Sequence, residues 1–338
     1  MSVNIAVVGA TGNVGREMLS ILSEKNYDAK NIFPVASERS EGSKVEYGST
    51  EITVEAIEKF DISKVQIALF SVGSEVSKEW APKFTAKDCV VIDNSSQFRM
   101  DNDVPLIVPE VNPEDISDFK KRNIIANPNC STIQLVVALK PLHDISKIKR
   151  VIVSTYQSVS GAGKAAMDEL FDQTKNMFSD QIKDNINFTK SIAFNAIPHI
   201  GKFMDDGYTK EEAKMRQETN KILDKDIQFS ATCVRVPVFI GHAEAVNIEF
   251  ENKISVDQAR KAIKDAEGCS LLDERKDGGY VTPKECAGND DTYVSRIRED
   301  SAVENGLSIW VVSDNLRKGA ALNTIQIAEM LMEKHLNQ

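Results

Sequence analysis

The sequence predicts an α/β chain in two domains: a doubly wound parallel sheet, then an α+β domain whose sheet is mixed and largely antiparallel. Three observations carry this. A short apolar strand near the amino terminus runs into a glycine-spaced turn and a helix. Apolar runs then alternate with helical stretches as far as residue 130. Beyond residue 150 the strands follow one another with fewer helices between them.

Ile5-Ala6-Val7-Val8 is the first strand. Gly9-Ala10-Thr11-Gly12-Asn13-Val14-Gly15 follows, and Val14, Met18, Ile21 and Leu22 recur at helical spacing. In a Rossmann-type strand, turn and helix, Gly9 permits the tight turn and Gly12 lets the backbone approach a pyrophosphate. Gly15 permits close helix packing, and the phosphates rest on the helix amino end. The spacing is GxxGxxG rather than GxGxxG, and only the flanking strand and helix lift it above turn chemistry. Ile32 to Ala36, Gln66 to Val72, Cys89 to Asp93 and Ile124 to Ala126 read as further strands, and Glu75 to Ala86 as a helix. After the second strand comes Ser37-Glu38-Arg39-Ser40. Arg39 and the hydroxyls suit a 2′-phosphate and so favour NADP, whereas Glu38 could accept from a ribose hydroxyl or simply face solvent.

Asn127-Pro128-Asn129-Cys130-Ser131-Thr132 leads into the apolar run Ile133 to Leu139. Pro128 disfavours helical geometry at Asn127, so the helix starts near Cys130. At that end unpaired N–H groups and about half a positive charge favour a thiolate and can hold an oxyanion. A buried, inert cysteine fits the same position.

Arg150 to Thr155 opens the second sheet and leads through Gln157 to Gly163 into a helix around Ala165 to Phe171. Ile227 to Val236, Ala243 to Phe250, Thr292 to Ile297 and Leu307 to Val312 are its later strands. Phe178 to Lys190 reads as a surface loop. Leu322, Ile325, Ala328 and Met332 mark a last helix that packs back on the first domain. The expected division is 1–130, completed by 316–336, and 131–315.

A thiolate attacking a carbonyl needs a proton carrier, and the chain has only four histidines. His242 lies between Gly241 and Ala243 at the start of a strand, seven residues after Arg235, whereas His143, His199 and His335 have no such setting. A structural histidine fits that place too until a nucleophile and an anion-binding arginine converge on it. A net charge of -10 without a basic block argues against nucleic acid or an anionic membrane surface as partner. With neither a leader nor an apolar run of membrane-spanning length, the expectation is a cytoplasmic protein. Five cysteines without metal or redox spacing predict free thiols and no metal site.

Taken in order, Gly9 to Gly15, Asn94-Ser95-Ser96-Gln97-Phe98-Arg99, Pro128 to Thr132, Tyr156-Gln157 with Ser160 to Gly163, Glu211-Glu212-Ala213-Lys214, Arg235-Val236-Pro237 and Gly241-His242 resemble the aspartate-β-semialdehyde dehydrogenase family over nearly the whole length. The resemblance implies NADPH-dependent conversion of L-aspartyl-4-phosphate to L-aspartate-4-semialdehyde and phosphate, the branch point toward lysine, threonine and methionine. It implies Cys130 as nucleophile, His242 as acid/base partner and Gln157 as the residue orienting the acyl group. Arg235 would grip the α-carboxylate, Arg99 and Lys214 the phosphoryl group, and Glu211 the ammonium. Spacing alone makes Glu211 and Lys214 a solvated ion pair. Cofactor contacts would be Gly9, Thr11, Gly12, Asn13 and Val14 at the pyrophosphate, Arg39 and Ser40 at the 2′-phosphate, Ser160 and Gly161 near the nicotinamide, and Asn315, which could otherwise cap the last helix. The family is homodimeric, with the second-domain sheet as interface.

A reductase of N-acetyl-glutamyl phosphate shares the chemistry, but an acetylated amine offers no charge to Glu211. A glycolytic phosphorylating aldehyde dehydrogenase has no α-carboxylate for Arg235. A silent NADP-binding paralogue would be marked by loss of Cys130 or His242, and both are present.

Overall fold

Four apolar residues in a row, all buried, form strand β1, Ile5–Val8, as expected of a strand covered on both faces. The computed structural model describes residues 3–177 and 185–336. Most of the loop expected over 178–190 therefore lies outside the described residues. Contacts divide the chain into two units, 1–129 with 320–338, and 130–319. Cys130 and residues 316–319 thus belong to the second unit.

In the first unit, helix α1 (Asn13–Glu24) is followed by β2 (Ile32–Ala36) and a hairpin of β3 (Lys44–Tyr47) and β4 (Thr50–Thr53). Next come β5 (Glu55–Ala56), β6 (Ile67–Phe70), α2 (Ser74–Thr85), β7 (Val90–Asp93) and β8 (Ile124–Ala126). The sheet runs β5-β2-β1-β6-β7-β8 with every pair parallel. Strand order reverses between β1 and β6, the place where such sheets take ligands. Met18, Leu19, Ile21 and Leu22 of α1 share a core with Ile5, Val7 and Ile67, and with Leu322, Ile325 and Leu331 of the last helix, Leu322–Leu331.

The second unit opens with α3 (Cys130–His143), buried from Ser131 through Leu139, where Ile133 to Leu139 is apolar apart from Gln134. Then follow β9 (Ile148–Gln157), α4 (Lys164–Asn176), α5 (Lys210–Ile222), β10 (Gln228–Arg235), β11 (His242–Phe250), α6 (Val256–Asp265), β12 (Cys269–Leu271), α7 (Pro283–Cys286), β13 (Thr292–Glu299) and β14 (Gly306–Ser313). The order is β10-β9-β11-β14-β13-β12; the two outer pairs are parallel and the inner three antiparallel. Leu135, Ala138, Leu139 and Leu142 of α3 pack on Val151, Val153, Val246, Ile248, Ile309 and Val311 of this sheet, which anchors the helix whose first residue is Cys130. On the outer face, Ile152 and Tyr156 of β9 are exposed, and Tyr156 lies 5.6 Å from Trp310 between ring centres. Among the described residues no helix is long and apolar enough to cross a membrane.

Candidate active site

The glycine turn of the first unit separates into three roles. Gly9 has φ +88°, and a Cβ there would overlap the Ser71 carbonyl that follows β6. A Cβ on Gly15 would overlap the Gly9 carbonyl. Gly12 is different: its φ is -79°, and a Cβ would meet nothing nearer than the Gly9 oxygen at 3.4 Å. The protein itself therefore does not require glycine at position 12, which fits a cradle shaped for a ligand. Gly12 caps α1 without a side-chain hydrogen bond, and the first turn carries no acidic residue, so the helix end suits a pyrophosphate. Thr11, Asn13 and Val14 flank it, and the Arg16 side chain braces the turn by donating to the Thr11 carbonyl at 3.1 Å. After β2, Glu38 lies 3.8 Å from Lys59, while Arg39 is exposed beside the half-buried Ser40. These residues fit a dinucleotide, and Arg39 suits a 2′-phosphate. Arg99 is buried in the same unit, donating from Nε to the Asn127 carbonyl at 2.9 Å and from Nη2 to that of Asn94 at 2.7 Å.

The second unit brings Cys130, Gln157, Glu211, Lys214, Arg235 and His242 into one cluster. Cys130 is half-buried at the amino end of α3, with the Cα of Gly319 close enough that a Cβ there would lie 3.0 Å from the cysteine Cβ. Parallel pairing sets Arg235 opposite Gln157, and antiparallel pairing brings β11 alongside β9. Arg235 is buried and donates to the Ser158 carbonyl at 2.6 Å. Burial lowers its pKa, while the nearby Glu211 and Cys130 charges push the other way.

Glu211 is buried, which overturns the solvated-pair expectation. The cause is local: Thr209 and Glu212 form a capping box at the start of α5, with Thr209 N–H donating to Glu212 at 2.7 Å. Glu212 is committed there and Glu211 turns inward. It accepts from Gln157 Nε2 at 3.2 Å and from Lys214 Nζ at 3.2 Å. Thr155 donates to the Gln157 oxygen at 3.0 Å and so fixes the amide's orientation.

His242 is fully buried. Its Nδ1 accepts from the Ser158 backbone N–H at 3.0 Å, and the Ser158 hydroxyl lies 3.1 Å away. Burial, with Arg235 adding to it and Glu211 opposing, pushes its pKa down to about 3. The imidazole is therefore neutral at pH 7. Gly161 borders the group: a Cβ on it would sit 3.2 Å from Arg235 Nη1 and 3.3 Å from His242 Nε2.

Asn315 does not cap a helix. Its Oδ1 accepts from Ser158 Oγ at 3.0 Å, Ser160 Oγ at 3.1 Å and Gly241 N–H at 2.9 Å. The neighbouring Asp314 is the cap, accepting from Leu316 N–H at 2.8 Å and Arg317 N–H at 3.1 Å. Burial raises the thiols of Cys89 and Cys286 to about 12 and also raises that of Cys233. Among the described residues no group of three or more His, Cys, Asp or Glu could hold a metal ion.

Three residues that sequence reasoning passed over complete the cluster: Ser158, Gln134 and Glu244. Gln134, one turn along α3 from Cys130, reaches the His242 carbonyl at 3.4 Å. Glu244 is fully buried two residues after His242, and among the described residues neither carboxyl oxygen has a hydrogen bond. Burial raises its pKa well above the usual 4.5; the Gln134 amide beside it pulls the other way without reaching hydrogen-bond geometry. An acid on an inward-facing strand position was the available signal.

Glu244 makes stability fall with alkalinity. The fold binds its proton more tightly than the unfolded chain does, so stability is lost as pH rises above 4.5 toward the raised native value. The slope reaches about 1.4 kcal/mol per pH unit. Glu244→Gln keeps the shape and removes the ionisation. Its Tm should gain on wild type as pH rises above 4.5, and a difference independent of pH would refute the assignment. His242 acts at the other end: the unfolded chain takes up a proton below 6.5 that the fold refuses down to about 3, so stability falls on acidification through that window.

Comparison with known proteins supports the same picture. The family model described as "Semialdehyde dehydrogenase, NAD binding domain" matches residues 4–119, and "Semialdehyde dehydrogenase, dimerisation domain" matches 139–318. An aspartate-semialdehyde dehydrogenase of Aquifex aeolicus is 53% identical over 99% of this chain and 100% of its own. The crystal structure of aspartate semialdehyde dehydrogenase II complexed with ASA, from Vibrio cholerae, superimposes with TM-score 0.96 at 48% identity over 99% of both chains. That of the Candida albicans enzyme with NADP gives TM-score 0.75 at 26% identity, covering 98% of each.

Proposed function

The chain belongs to the aspartate-semialdehyde dehydrogenase family, and from that premise we propose that it interconverts L-aspartyl-4-phosphate and L-aspartate-4-semialdehyde with phosphate through a thioester on Cys130. It is an oxidoreductase with an NAD(P)-binding domain. The convergence of a cysteine at a helix amino end, a buried arginine and a buried histidine carries the reading.

In the reductive direction the Cys130 thiolate attacks the acyl carbon. The tetrahedral oxyanion lies at the amino end of α3, phosphate departs with the bonding pair, and the thioester remains. When bound, the reduced nicotinamide supplies a hydride to that carbonyl. Expulsion of the Cys130 thiolate then releases the aldehyde. Gln157, fixed by Thr155, orients the acyl group; His242 is the acid/base partner of Cys130 and of the reacting oxygen. Arg235 holds the α-carboxylate, Glu211 the ammonium, and Arg99 and Lys214 the phosphoryl group. Gly9, Thr11, Gly12, Asn13 and Val14 receive the pyrophosphate. Arg39 and Ser40 select NADP, and Ser160, Gly161 and Asn315 serve the nicotinamide end.

Exposed Ile152 and Tyr156 beside Trp310 support a homodimer formed through the outer face of the second sheet. A place in lysine, threonine and methionine biosynthesis and a cytoplasmic location belong to the same proposal.

The test is run in the oxidative direction with aspartate semialdehyde, NADP and phosphate, following the absorbance of the reduced cofactor. Reduction that needs phosphate is expected, since phosphate is the nucleophile that releases the acyl group. Turnover indifferent to phosphate would mean hydrolysis of the thioester and would overturn the reading.

A further inference from the structure

We infer that Lys59 is a specificity-determining residue for the dinucleotide: by engaging the Glu38 carboxylate it keeps that acid from a ribose hydroxyl and leaves the turn after β2 open to a 2′-phosphate. The inference rests on the proposed function and adds a residue to its choice of NADP over NAD.

The turn after β2 carries two opposite signals side by side. An acid at the end of the second strand of such a sheet accepts from the 2′-hydroxyl of NAD and repels a phosphate there, whereas an arginine accommodates the phosphate. Glu38 and Arg39 are neighbours, so the residue types alone do not choose. The backbone separates them. Residues 38–40 form a 3-10 turn after Ser37, in which Ser40 N–H donates to the Ser37 carbonyl at 2.8 Å and Glu41 N–H to that of Glu38 at 3.1 Å. With three residues to each turn, Glu38 and Glu41 fall on one side, and Arg39 leaves the backbone about 120° away from them. Arg39 is exposed, and among the described residues it forms no ion pair.

Lys59 is placed to hold both acids. The short strand β5 pairs with the end of β2, Ala56 opposite Ala36, and Ile57 N–H donates to the Ala36 carbonyl at 2.8 Å. That pairing brings the residues after β5 alongside the turn. Lys59 Nζ lies 2.6 Å from Glu41 Oε2 and 3.8 Å from Glu38 Oε1. The shorter contact, to the less exposed of the two acids, anchors the ammonium, and the longer one draws Glu38 to the same side. One lysine thus relieves the repulsion between two like charges and neutralises the acid beside Arg39.

All three side chains are exposed, so these contacts add little to stability. Their consequence lies in recognition, where only the difference between two ligands counts. A phosphate monoester carries close to two negative charges at neutral pH, which a released Glu38 would repel, whereas the 2′-hydroxyl of NAD would gain an acceptor. Removal of Lys59 therefore moves the two affinities in opposite directions.

Calorimetric titration of the protein with NADP and with NAD tests this without turnover. Lys59→Met keeps the length of the side chain and removes its charge. The ratio of NADP to NAD affinity should then fall about tenfold, with the Tm of the unliganded protein within about 2 °C of wild type. Glu38→Gln alone should change the ratio by less than about twofold, since the acid is already engaged. A larger gain in NADP preference would show that Glu38 faces the ribose despite Lys59, and would overturn the inference. Glu38→Gln added to Lys59→Met should bring the ratio back to within about threefold of wild type, because only a released acid needs removing. A double variant as poor as Lys59→Met would mean that Lys59 touches the phosphate itself. That result, or a Lys59→Met protein with the wild-type ratio, overturns the inference while the NADP preference of the wild type stands. A wild type that binds NAD as tightly as NADP would instead strike the choice of NADP from the proposed function, and the part of Lys59 with it.

Discussion

Cys130→Ala should lower phosphate-dependent turnover by about four orders of magnitude or more while leaving dinucleotide affinity and Tm within the range of a surface substitution. The expected loss is large because no second group in the cluster can carry an acyl chain. Gln157 is an amide held by Thr155 and Glu211, Glu211 is paired to Lys214, and the remaining nearby thiol, Cys233, is buried and its pKa raised. The cost to folding is small because Cys130 is half-buried at a helix start. Single-turnover mixing of wild type with aspartate semialdehyde and NADP, without phosphate, followed by intact-mass measurement, should show an acyl adduct on the Cys130 peptide alone. A variant retaining more than about one per cent of turnover would remove the cysteine from the mechanism.

Gly9→Ala should destabilise the first unit by about 3 to 5 kcal/mol, since a left-handed backbone costs an alanine about 1–2 kcal/mol and its methyl would displace the Ser71 carbonyl. Gly12→Ala tests the neighbouring claim. There φ is ordinary and the methyl would find van der Waals contact at 3.4 Å, so Tm should change by only a few degrees while NADP affinity falls at least tenfold. Thermal unfolding with and without NADP separates the two. If Gly12→Ala binds NADP as wild type does, the pyrophosphate is not cradled by that turn; if Gly9→Ala melts as wild type does, the turn is more pliable than its geometry implies.

Some elements could be read from residues alone because burial on both faces leaves little freedom. Strands β1, β2 and β8 end where their apolar runs end, at Val8, Ala36 and Ala126. Helix ends were less visible. The turn pattern suggested that α4 stops near Phe171, whereas it continues to Asn176, because Glu169 and Gln173 face inward and accept backbone N–H groups from Asn187 and Ile192. Strand order in the second sheet had no signature, since β10 pairs with β9 across α4 and α5. Of the candidate site, Cys130 and His242 were visible as residue types in telling positions. Burial of Glu211 was not, because helix α5 is so highly charged that any of its carboxylates looks solvated. Ser158 was hidden for another reason: its contribution to the histidine is a backbone N–H, which every residue except proline possesses.

Adjacent glutamates at the start of α5 divide two duties, one closing the helix and one turning inward to Gln157 and Lys214. With Glu211 holding the ammonium as proposed, loss of the cap formed by Thr209 and Glu212 would register as blurred recognition of the substrate's amine. On that proposal, substrate choice reaches back to Thr209, whose part is to close the helix.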